Sequence, residues 1–210
     1  MQDSKNVFIF GYSGHAYVVI ESMLELGYTI SGYFDKKAAL INPYNLEYLG
    51  FELDVDLKSI VNQDYVFPTV GENFIREKLL KIFDEQGLNQ FVLIDKTANI
   101  SKTAQIGLST YIGKRVCVNA LAKIGEGVIL NTSAVIEHEC VIDDLVHIAP
   151  SATLAGNVKV GRGSFVGANS VCKQNVTIGT NCILGAGSAI VKNIPDNEIW
   201  MGNPAKKHIK

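Results

Sequence analysis

A strict six-residue spacing of aliphatic side chains governs the second half of the chain. Every sixth residue from Ile94 to Ile190 is Ile, Leu or Val, and the only exception is Cys172. A second small or branched residue follows four positions after each of these, as at Ala98 and Ala104. A fixed hexapeptide period of this length is the sequence signature of a parallel β-helix.

The period also predicts the geometry of the coil. A strand face repeats every two residues and a helix face every 3.6, so a period of six fits neither alone. It fits a coil in which each short strand points one aliphatic inward and then turns at a corner that holds a small residue. Three sides make a coil of about 18 residues, with coils stacked about 4.8 Å apart. We expect about five coils, in which residues 18 apart are neighbours. An ordinary β-sandwich would not keep so strict a period.

Composition narrows the function classes. The net charge is −2 and no Lys/Arg cluster occurs, which argues against nucleic acid or an anionic membrane as partner. No apolar run approaches the ~18 residues of a membrane span, and residues 1–5 lack a signal-peptide pattern. We therefore expect a cytoplasmic location. Three of the four cysteines occupy inward positions of the coil, where they are predicted to be small core residues: Cys140, Cys172 and Cys182.

The first ninety residues follow a different pattern. Apolar segments at 5–10, 28–34, 65–70 and 91–94 are predicted strands, and segments 16–26 and 72–86 are predicted helices. Strand–helix–strand alternation predicts a small parallel α/β domain. The sequence therefore divides into a domain of residues 1–93 and a coil domain of residues 94–210.

Two strand-to-helix turns in this domain are candidate ligand sites. Gly11 to Gly14 form the first, where glycines and free N–H groups favour phosphate. Asp35 follows 21 residues after Gly14, where it could reach a ribose or base. The turn lacks the G-x-G-x-x-G spacing of dinucleotide dehydrogenases. Taken alone, it leaves phosphate binding and a plain glycine turn as equal alternatives. A second turn at 71–73 would complete a crevice.

Two histidines fall on outward positions of the coil. His138 has Gly156 one full coil further on, whereas His147 lies half a coil away on another side. Within one chain the two histidines should not meet, but a three-fold oligomer could bring His147 of one chain to His138 of the next. Glu139 could support His138 as a base. The alternatives are two surface histidines and a solvated carboxylate.

At this point the sequence resembles the bacterial nucleotide-amino-sugar N-acetyltransferases, with the bacillosamine, perosamine and sialic acid acetyltransferases as related types. The resemblance rests on the segments 130–142, 146–150 and 154–158, which contain His138-Glu139-Cys140 and His147. It extends over the whole chain through the turn at 11–16, the turn at 71–73 and the tail at 202–206. It implies a Rossmann-like α/β domain followed by a left-handed parallel β-helix.

The resemblance also implies roles for individual residues. His138 would be the general base and Glu139 its supporting carboxylate. A second group would line the acetyl-CoA cleft, with the Gly156 N–H on the thioester oxygen: His147, Gly156, Ala168 and Ala186. A third group would hold the nucleotide sugar: Tyr12, Ser13, Gly14, Asp35, Lys36 and Gly71. Tyr12 stands where a small residue is common, and Lys36 stands where the bacillosamine enzyme has a second Asp.

The implied activity is direct transfer of an acetyl group from acetyl-CoA to a sugar amine, by a homotrimer with its sites at subunit interfaces and without a metal. A UDP-linked 4-amino-4,6-dideoxy sugar is the first-choice acceptor. A GDP- or dTDP-linked sugar comes second, and O-acetylation of a sialic acid third. Two other classes remain as alternatives. A non-catalytic nucleotide-sugar scaffold would not need His138, and a γ-class carbonic anhydrase would need three converging histidines where the coil offers two.

Overall fold

The computed structural model describes residues 6–208. It divides into two compact units, Met1–Lys96 and Thr97–Lys210. Residues 1–5, on which the expectations about a signal peptide and the start of the first strand rested, lie outside the described part. None of the helices within residues 6–208 is both long enough and apolar enough to cross a membrane. The predicted combination of an α/β region and a parallel β-helix is confirmed.

The α/β unit alternates strands and helices from its first described residue. Its elements are β1 Asn6–Phe10, α1 Gly14–Glu25, β2 Thr29–Phe34, α2 Leu57–Val61, β3 Tyr65–Pro68, α3 Asn73–Gln86, β4 Asn89–Gln90 and β5 Leu93–Ile94. The short helix α2 falls in a segment for which the sequence predicted neither a helix nor a strand. Asp56 begins it, because its side chain accepts the backbone N–H of Ser59 at 3.3 Å.

Four parallel strands form the sheet of this unit in the order β2-β1-β3-β4. The central strand β1 is buried from Val7 to Phe10, as an apolar strand covered on both faces should be. Phe10 stacks on Phe34 at 4.7 Å and meets the edge of Phe83 at 4.6 Å. The chain leaves β1 for β2 on one side and returns to β3 on the other. The switch point between β1 and β3 is where such sheets leave a crevice at their carboxyl ends.

The second unit is a three-sided parallel β-helix of very short strands. In chain order they are β6 Asn99–Ile100, β7 Gln105–Ile106, β8 Tyr111–Ile112, β9 Cys117–Val118, β10 Lys123–Ile124, β11 Ile129–Leu130, β12 Val135–Ile136, β13 Val141–Ile142, β14 His147–Ile148, β15 Thr153–Leu154, β16 Lys159–Val160, β17 Phe165–Val166, β18 Val171–Cys172, β19 Thr177–Ile178, β20 Ile183–Leu184, β21 Ala189–Ile190, β22 Ile199–Met201 and β23 Lys206–Lys207.

Each side of the coil is one sheet. Side one contains β6, β9, β12, β15, β18 and β21; side two contains β7, β10, β13, β16 and β19; and side three contains β8, β11, β14, β17, β20, β22 and β23. Successive strands of a side pair residues 18 positions apart, such as Ile136 with Leu154 and Leu154 with Cys172. The end of the coil departs from this rule, because β20 and β22 pair residues 16 positions apart, as Leu184 with Trp200, and β23 pairs antiparallel with β22.

The inward aliphatics form one continuous core, from Ile112 through Ile136 and Leu154 to Ile190. Cys140, Cys172 and Cys182 are fully buried within it and free of disulfides, as predicted. Burial raises the pKa of Cys172 to about 12, with a smaller contribution from the nearby Cys140. These thiols are core residues and not nucleophiles.

Candidate functional site

The amino end of α1 lacks a side-chain cap. Ser13 occupies the N-cap position in an extended conformation, but its side chain makes no capping hydrogen bond, and the first turn contains no acidic residue. The leading N–H groups of a helix have no partner inside the helix, and the helix dipole adds partial positive charge there. The carboxyl end of β1 therefore presents donors suited to an anion.

Asp35 closes this turn from the neighbouring strand. It follows β2, and its two carboxylate oxygens accept the backbone N–H groups of Tyr12, at 3.0 Å, and of Lys36, at 2.7 Å. Asp35 therefore ties the loop after β1 to the loop after β2. The turn at Gly11 needs glycine, because φ is +95° and an added Cβ would overlap Cγ1 of Val70.

Tyr12 has a structural role that its side chain makes clear. Its ring is buried and stacks on Tyr33 with centroids 4.4 Å apart. Its hydroxyl donates to Oδ1 of Asn42 at 2.7 Å and accepts the N–H of Tyr44 at 3.2 Å. Burial raises its pKa, so it stays a neutral phenol. The Tyr12 side chain thus anchors the loop that follows β2. The Tyr12 backbone N–H belongs to the turn, where it donates to Asp35.

A cavity of about 390 Å³ opens beside this turn. The predicted residues Tyr12, Ser13, Gly14 and Asp35 line it, together with Tyr17 and residues 37–41. Lys37 belongs to the lining, whereas Lys36 does not. Leu40 is fully exposed and Ile41 is 72 % exposed at the rim. The structure therefore gathers four of the six predicted nucleotide-sugar residues around one space.

The second turn is different, because its helix is capped from within. Glu72 begins α3, and its carboxylate accepts the N–H groups of Phe74 at 3.1 Å and Ile75 at 2.9 Å. Arg76 is buried and donates to the carbonyls of Val70 and Gly71, both at 3.2 Å. The donors that would hold a phosphate at this turn are thus already used by the protein.

Gly71 stands against His15 instead of lining the cavity, because a Cβ placed on it would lie 3.8 Å from the His15 ring. Burial, together with a smaller contribution from the positive charge of Arg76, lowers the pKa of His15 to about 4. His15 is therefore neutral at physiological pH. Neither His15 nor Arg76 was predicted to have a role, although a histidine directly after the glycine turn was a visible signal.

In the coil, His138 lies on the corner between sides one and two. Its Nδ1 is 3.1 Å from Oε2 of Glu139, and about half of each side chain is exposed. Glu139 can turn back toward its neighbour because its φ is +60°, the left-handed conformation of the corner. An Nδ1–H that donates to the carboxylate leaves the lone pair on Nε2.

Gly156 lies against the His138 ring. A Cβ on Gly156 would be 2.5 Å from both Cε1 and Nε2, so any larger residue here would have to displace the His138 ring. The Gly156 carbonyl accepts the N–H of Asn175 at 3.1 Å. Its own N–H donates to no group within residues 6–208. The Gly156 residue, whose N–H is free, thus lies against the edge of the imidazole that carries Nε2.

His147 lies on side three. Its Nε2 is 3.3 Å from Nδ2 of Asn131, and its ring meets the edge of Phe165 with centroids 5.1 Å apart. The side chain is only 9 % exposed although it points outward. Asn131 was missed by the sequence analysis. A polar residue one place after an inward leucine, on the side that also carries His147, was the available signal.

The predicted coil residues therefore form two groups and not one. His138, Glu139 and Gly156 share the corner after side one. His147 lies on side three, and Ala168 and Ala186 occupy the corner that follows it. Within residues 6–208, no three His, Cys, Asp or Glu side chains are arranged to hold a metal ion.

Comparison with known proteins adds three findings. Residues 6–83 match the family described as the PglD N-terminal domain. A crystal structure of PerB from Caulobacter crescentus in complex with CoA and GDP-perosamine is 32 % identical, covers 97 % of both chains and superposes with a TM-score of 0.92. The acetyltransferase domain of PglB from Neisseria gonorrhoeae, in complex with acetyl coenzyme A, is 31 % identical, covers 98 % of this chain and 100 % of its own, and has a TM-score of 0.90.

Curated sequences match a shorter segment. Serine acetyltransferase 2 of Arabidopsis thaliana is 34 % identical over 99 residues, which are 42 % of this chain and 31 % of the plant protein. The matched part of the chain thus spans about a third of that relative's length. Two further solved structures of the Caulobacter crescentus perosamine enzyme carry a histidine replaced by Asn or Ala, and both are in complex with CoA and GDP-perosamine.

Proposed function

The chain belongs to the hexapeptide-repeat acyltransferases that carry a PglD-type N-terminal domain, and from that premise we propose that it transfers the acetyl group of acetyl-CoA to the 4-amino group of a nucleotide-linked 4-amino-4,6-dideoxy sugar. The observation that carries this proposal is the corner at His138. It combines an imidazole supported by a carboxylate with a backbone N–H next to the free ring nitrogen.

These groups suffice for direct transfer. The amine nitrogen attacks the thioester carbonyl carbon, so that a C–N bond forms and the C–S bond breaks. His138 Nε2 accepts the proton that the amine loses and returns it to the departing thiolate, while Glu139 holds the imidazole in the required tautomer. The N–H of Gly156 donates to the carbonyl oxygen as negative charge develops there. No acyl-enzyme is needed, since the buried cysteines cannot act as nucleophiles.

The nucleotide end of the acceptor belongs in the cavity of the α/β unit. The open amino end of α1 supplies N–H groups for a diphosphate. Both oxygens of Asp35 already accept backbone N–H groups, and Lys37 is the charged donor of the lining. Uracil, thymine and guanine each offer a carbonyl oxygen to such a donor, so we keep the UDP-linked sugar as the first candidate and leave the choice of base to the assay. The likeness to an enzyme crystallised with GDP-perosamine supports the GDP-linked sugar as second candidate.

The division of the coil residues into two groups supports a trimer. Side three and its corner carry His147, Ala168 and Ala186, and the corner after side one carries the base. A three-fold ring would set the first group of one copy against the second group of the next and would close after three copies. Acetyl-CoA would then bind in the cleft between copies. Light scattering should give three times the chain mass, and a monomer at working concentration would contradict this arrangement.

The activity is tested by thiol release from acetyl-CoA with UDP-, GDP- and dTDP-linked 4-amino-4,6-dideoxyhexoses. One nucleotide should give fast release, and His138→Ala should lower turnover by roughly 10²- to 10⁴-fold, the usual range for a lost general base. The matched control is His208→Ala, an exposed histidine of the tail. A His138→Ala variant that keeps nearly full rate would refute the assignment of the base.

Two other outcomes would redirect the proposal. No release with any amino sugar, but release with a sialic acid, would make the protein an O-acetyltransferase. Tight binding of a nucleotide sugar without any release would make it a scaffold.

A further inference from the structure

The cavity of the α/β unit has two adjacent aliphatic side chains on its rim. Leu40 is fully exposed and Ile41 is 72 % exposed, and both belong to the lining beside the amino end of α1. A single exposed leucine is common on protein surfaces and needs no explanation. Two neighbouring aliphatics on the rim of a cavity are different, because they lie within reach of a ligand that enters it.

Hydrogen bonds hold the loop that carries these two side chains. The backbone N–H of Ala39 donates to the hydroxyl of Tyr33 at 2.9 Å. The hydroxyl of Tyr17 donates to the carbonyl oxygen of Ile41 at 3.3 Å. Leu40 therefore lies between two fixed points of the backbone, and its exposure is not the result of a loose loop.

Asn42 fixes the next turn of the same loop. Its Oδ1 accepts the hydroxyl of Tyr12 at 2.7 Å and the N–H of Leu46 at 3.0 Å, and its Nδ2 donates to the carbonyl oxygen of Leu46 at 2.9 Å. A binding surface that is already ordered loses little conformational freedom when a ligand arrives. The aliphatic pair is thus prepared for a contact and does not need to be ordered by it.

The lining of the cavity points to a ligand with a charged end and a flat apolar face. Ser13 and Gly14 belong to the amino end of α1, which favours an anion, whereas residues 38–41 are Ala-Ala-Leu-Ile. The volume of about 390 Å³ lies in the range of about 300–1,000 Å³ that is typical of small-ligand pockets. A nucleoside diphosphate has both parts, because its diphosphate is anionic and its base has two apolar faces.

The residues that the family resemblance places near the base are less suited to hold it in this chain. Both carboxylate oxygens of Asp35 accept backbone N–H groups, and Lys36 does not belong to the cavity lining. Leu40 and Ile41 do belong to it, and their side chains offer apolar surface. The base contact has therefore moved from a polar pair of residues to an aliphatic pair in the same loop.

We propose that Leu40 and Ile41 pack against the face of the acceptor's nucleobase, and that this contact holds uracil, thymine and guanine equally well. Every base has such a face, whereas the bases differ in the donors and acceptors along their edges. The inference rests on the proposed function for the class of ligand. It assigns part of the affinity to residues that do not distinguish between bases, so that the choice of base falls to edge contacts such as Lys37.

The experiment measures the binding of UDP, dTDP and GDP by calorimetry to the wild-type protein, Leu40→Ser, Leu40→Met and the control Leu53→Ser. Leu53 is 66 % exposed in the same unit and does not belong to the cavity lining. Leu40→Ser should weaken the binding of all three nucleotides by about tenfold, which corresponds to the loss of about 55 Å² of apolar contact. Leu40→Met keeps an apolar side chain, so it should bind like the wild type, as should Leu53→Ser.

Four results would overturn the inference. A wild-type protein that binds none of the three nucleotides would do so, as would an unchanged affinity in Leu40→Ser. An equal loss in Leu53→Ser would mean that the effect is not specific to the cavity. A loss for one nucleotide alone would make Leu40 part of the choice of base. Because no acetyl-CoA is present, binding is measured apart from acetyl transfer. The expected binding pattern without any thiol release would contradict the proposed function and leave the assignment of Leu40 intact.

Discussion

The two candidate regions of this protein are built in opposite ways. On the coil corner, His138 and Gly156 are neighbours because the backbone repeats every 18 residues, and side chains contribute little to their placement. At the turn before α1, Tyr12 and Asp35 are positioned by hydrogen bonds between loops that are distant in sequence. The first site should therefore be sensitive to added atoms, and the second to the removal of a bonding partner.

The largest expected effect concerns the buried histidine of the α/β unit. The unfolded chain binds a proton at His15 near pH 6.5, but the folded protein does so only near pH 4. The unfolded state thus holds more protons between these values, and the free energy of unfolding should fall by up to about 3 kcal/mol as the pH drops from 6.5 to 4.

Urea unfolding of the full chain, followed by tyrosine fluorescence at pH 7, 5.5 and 4.5, measures this effect. His15→Gln should show a shallower loss with acid, whereas the exposed His208→Gln should behave like the wild type. Identical pH profiles for His15→Gln and the wild type would mean that other groups cause the acid sensitivity.

Adding one methyl group to the coil corner comes next. Gly156→Ala places a Cβ 2.5 Å from two atoms of the His138 ring, so the ring must move. A small misplacement of a catalytic group costs roughly 10- to 100-fold in turnover. Steady-state rates and circular dichroism on the same samples test this. A folded Gly156→Ala variant with the wild-type rate would contradict this prediction, because it would mean that the His138 ring can accommodate the added Cβ without loss of activity.

Removing one acceptor from the α/β turn should cost less. Asp35→Asn keeps one oxygen for the two N–H groups of Tyr12 and Lys36, so one hydrogen bond is lost. We expect KM for the nucleotide sugar to rise about tenfold with kcat little changed, since one such bond contributes about 1–1.5 kcal/mol. Asp54→Asn, an exposed neighbour in the same unit, is the control. A fall in kcat alone would place Asp35 near the chemistry.

The smallest effect distinguishes the two helix ends. Glu72→Ala removes the cap of α3 and should destabilise the protein by about 1 kcal/mol, whereas Ser13→Ala should leave stability nearly unchanged because Ser13 makes no capping bond. Urea midpoints at pH 7 measure both. An equal loss of stability in the two variants would mean that Ser13 and Glu72 contribute equally to the amino ends of their helices.

The same contrast explains what the sequence could predict. The hexapeptide rows, the inward cysteines and the side-by-side placement of His138 and Gly156 all follow from counting, because the coil keeps its 18-residue register as far as Ile190. In the α/β region the strands and the two long helices were predictable to within a few residues. Of the predicted last strand at 91–94 only Leu93–Ile94, β5, is a strand, and the preceding short strand β4, Asn89–Gln90, was not predicted.

The rest depends on contacts that no local pattern reveals. The Tyr12 hydroxyl donates to Asn42, a residue 30 positions later in the chain, and this contact holds the loop beside the cavity. Lys37 faces the cavity and Lys36 does not, a difference of one residue in a loop without periodicity. Glu72 reads equally well as a ligand residue or as a helix cap until its carboxylate is seen bonded to α3. Asn131 gains meaning only through its contact with His147.

The register of the coil limits how the length of this chain can change. Deleting one residue within a strand would turn the rest of that strand to the opposite face, as happens when any strand slips by one position. Inserting a complete set of 18 residues after Gly156 would keep all rows aligned and lengthen the coil by about 4.8 Å. Changes in whole coils would therefore lengthen or shorten this unit without altering the corner that holds His138 and Gly156.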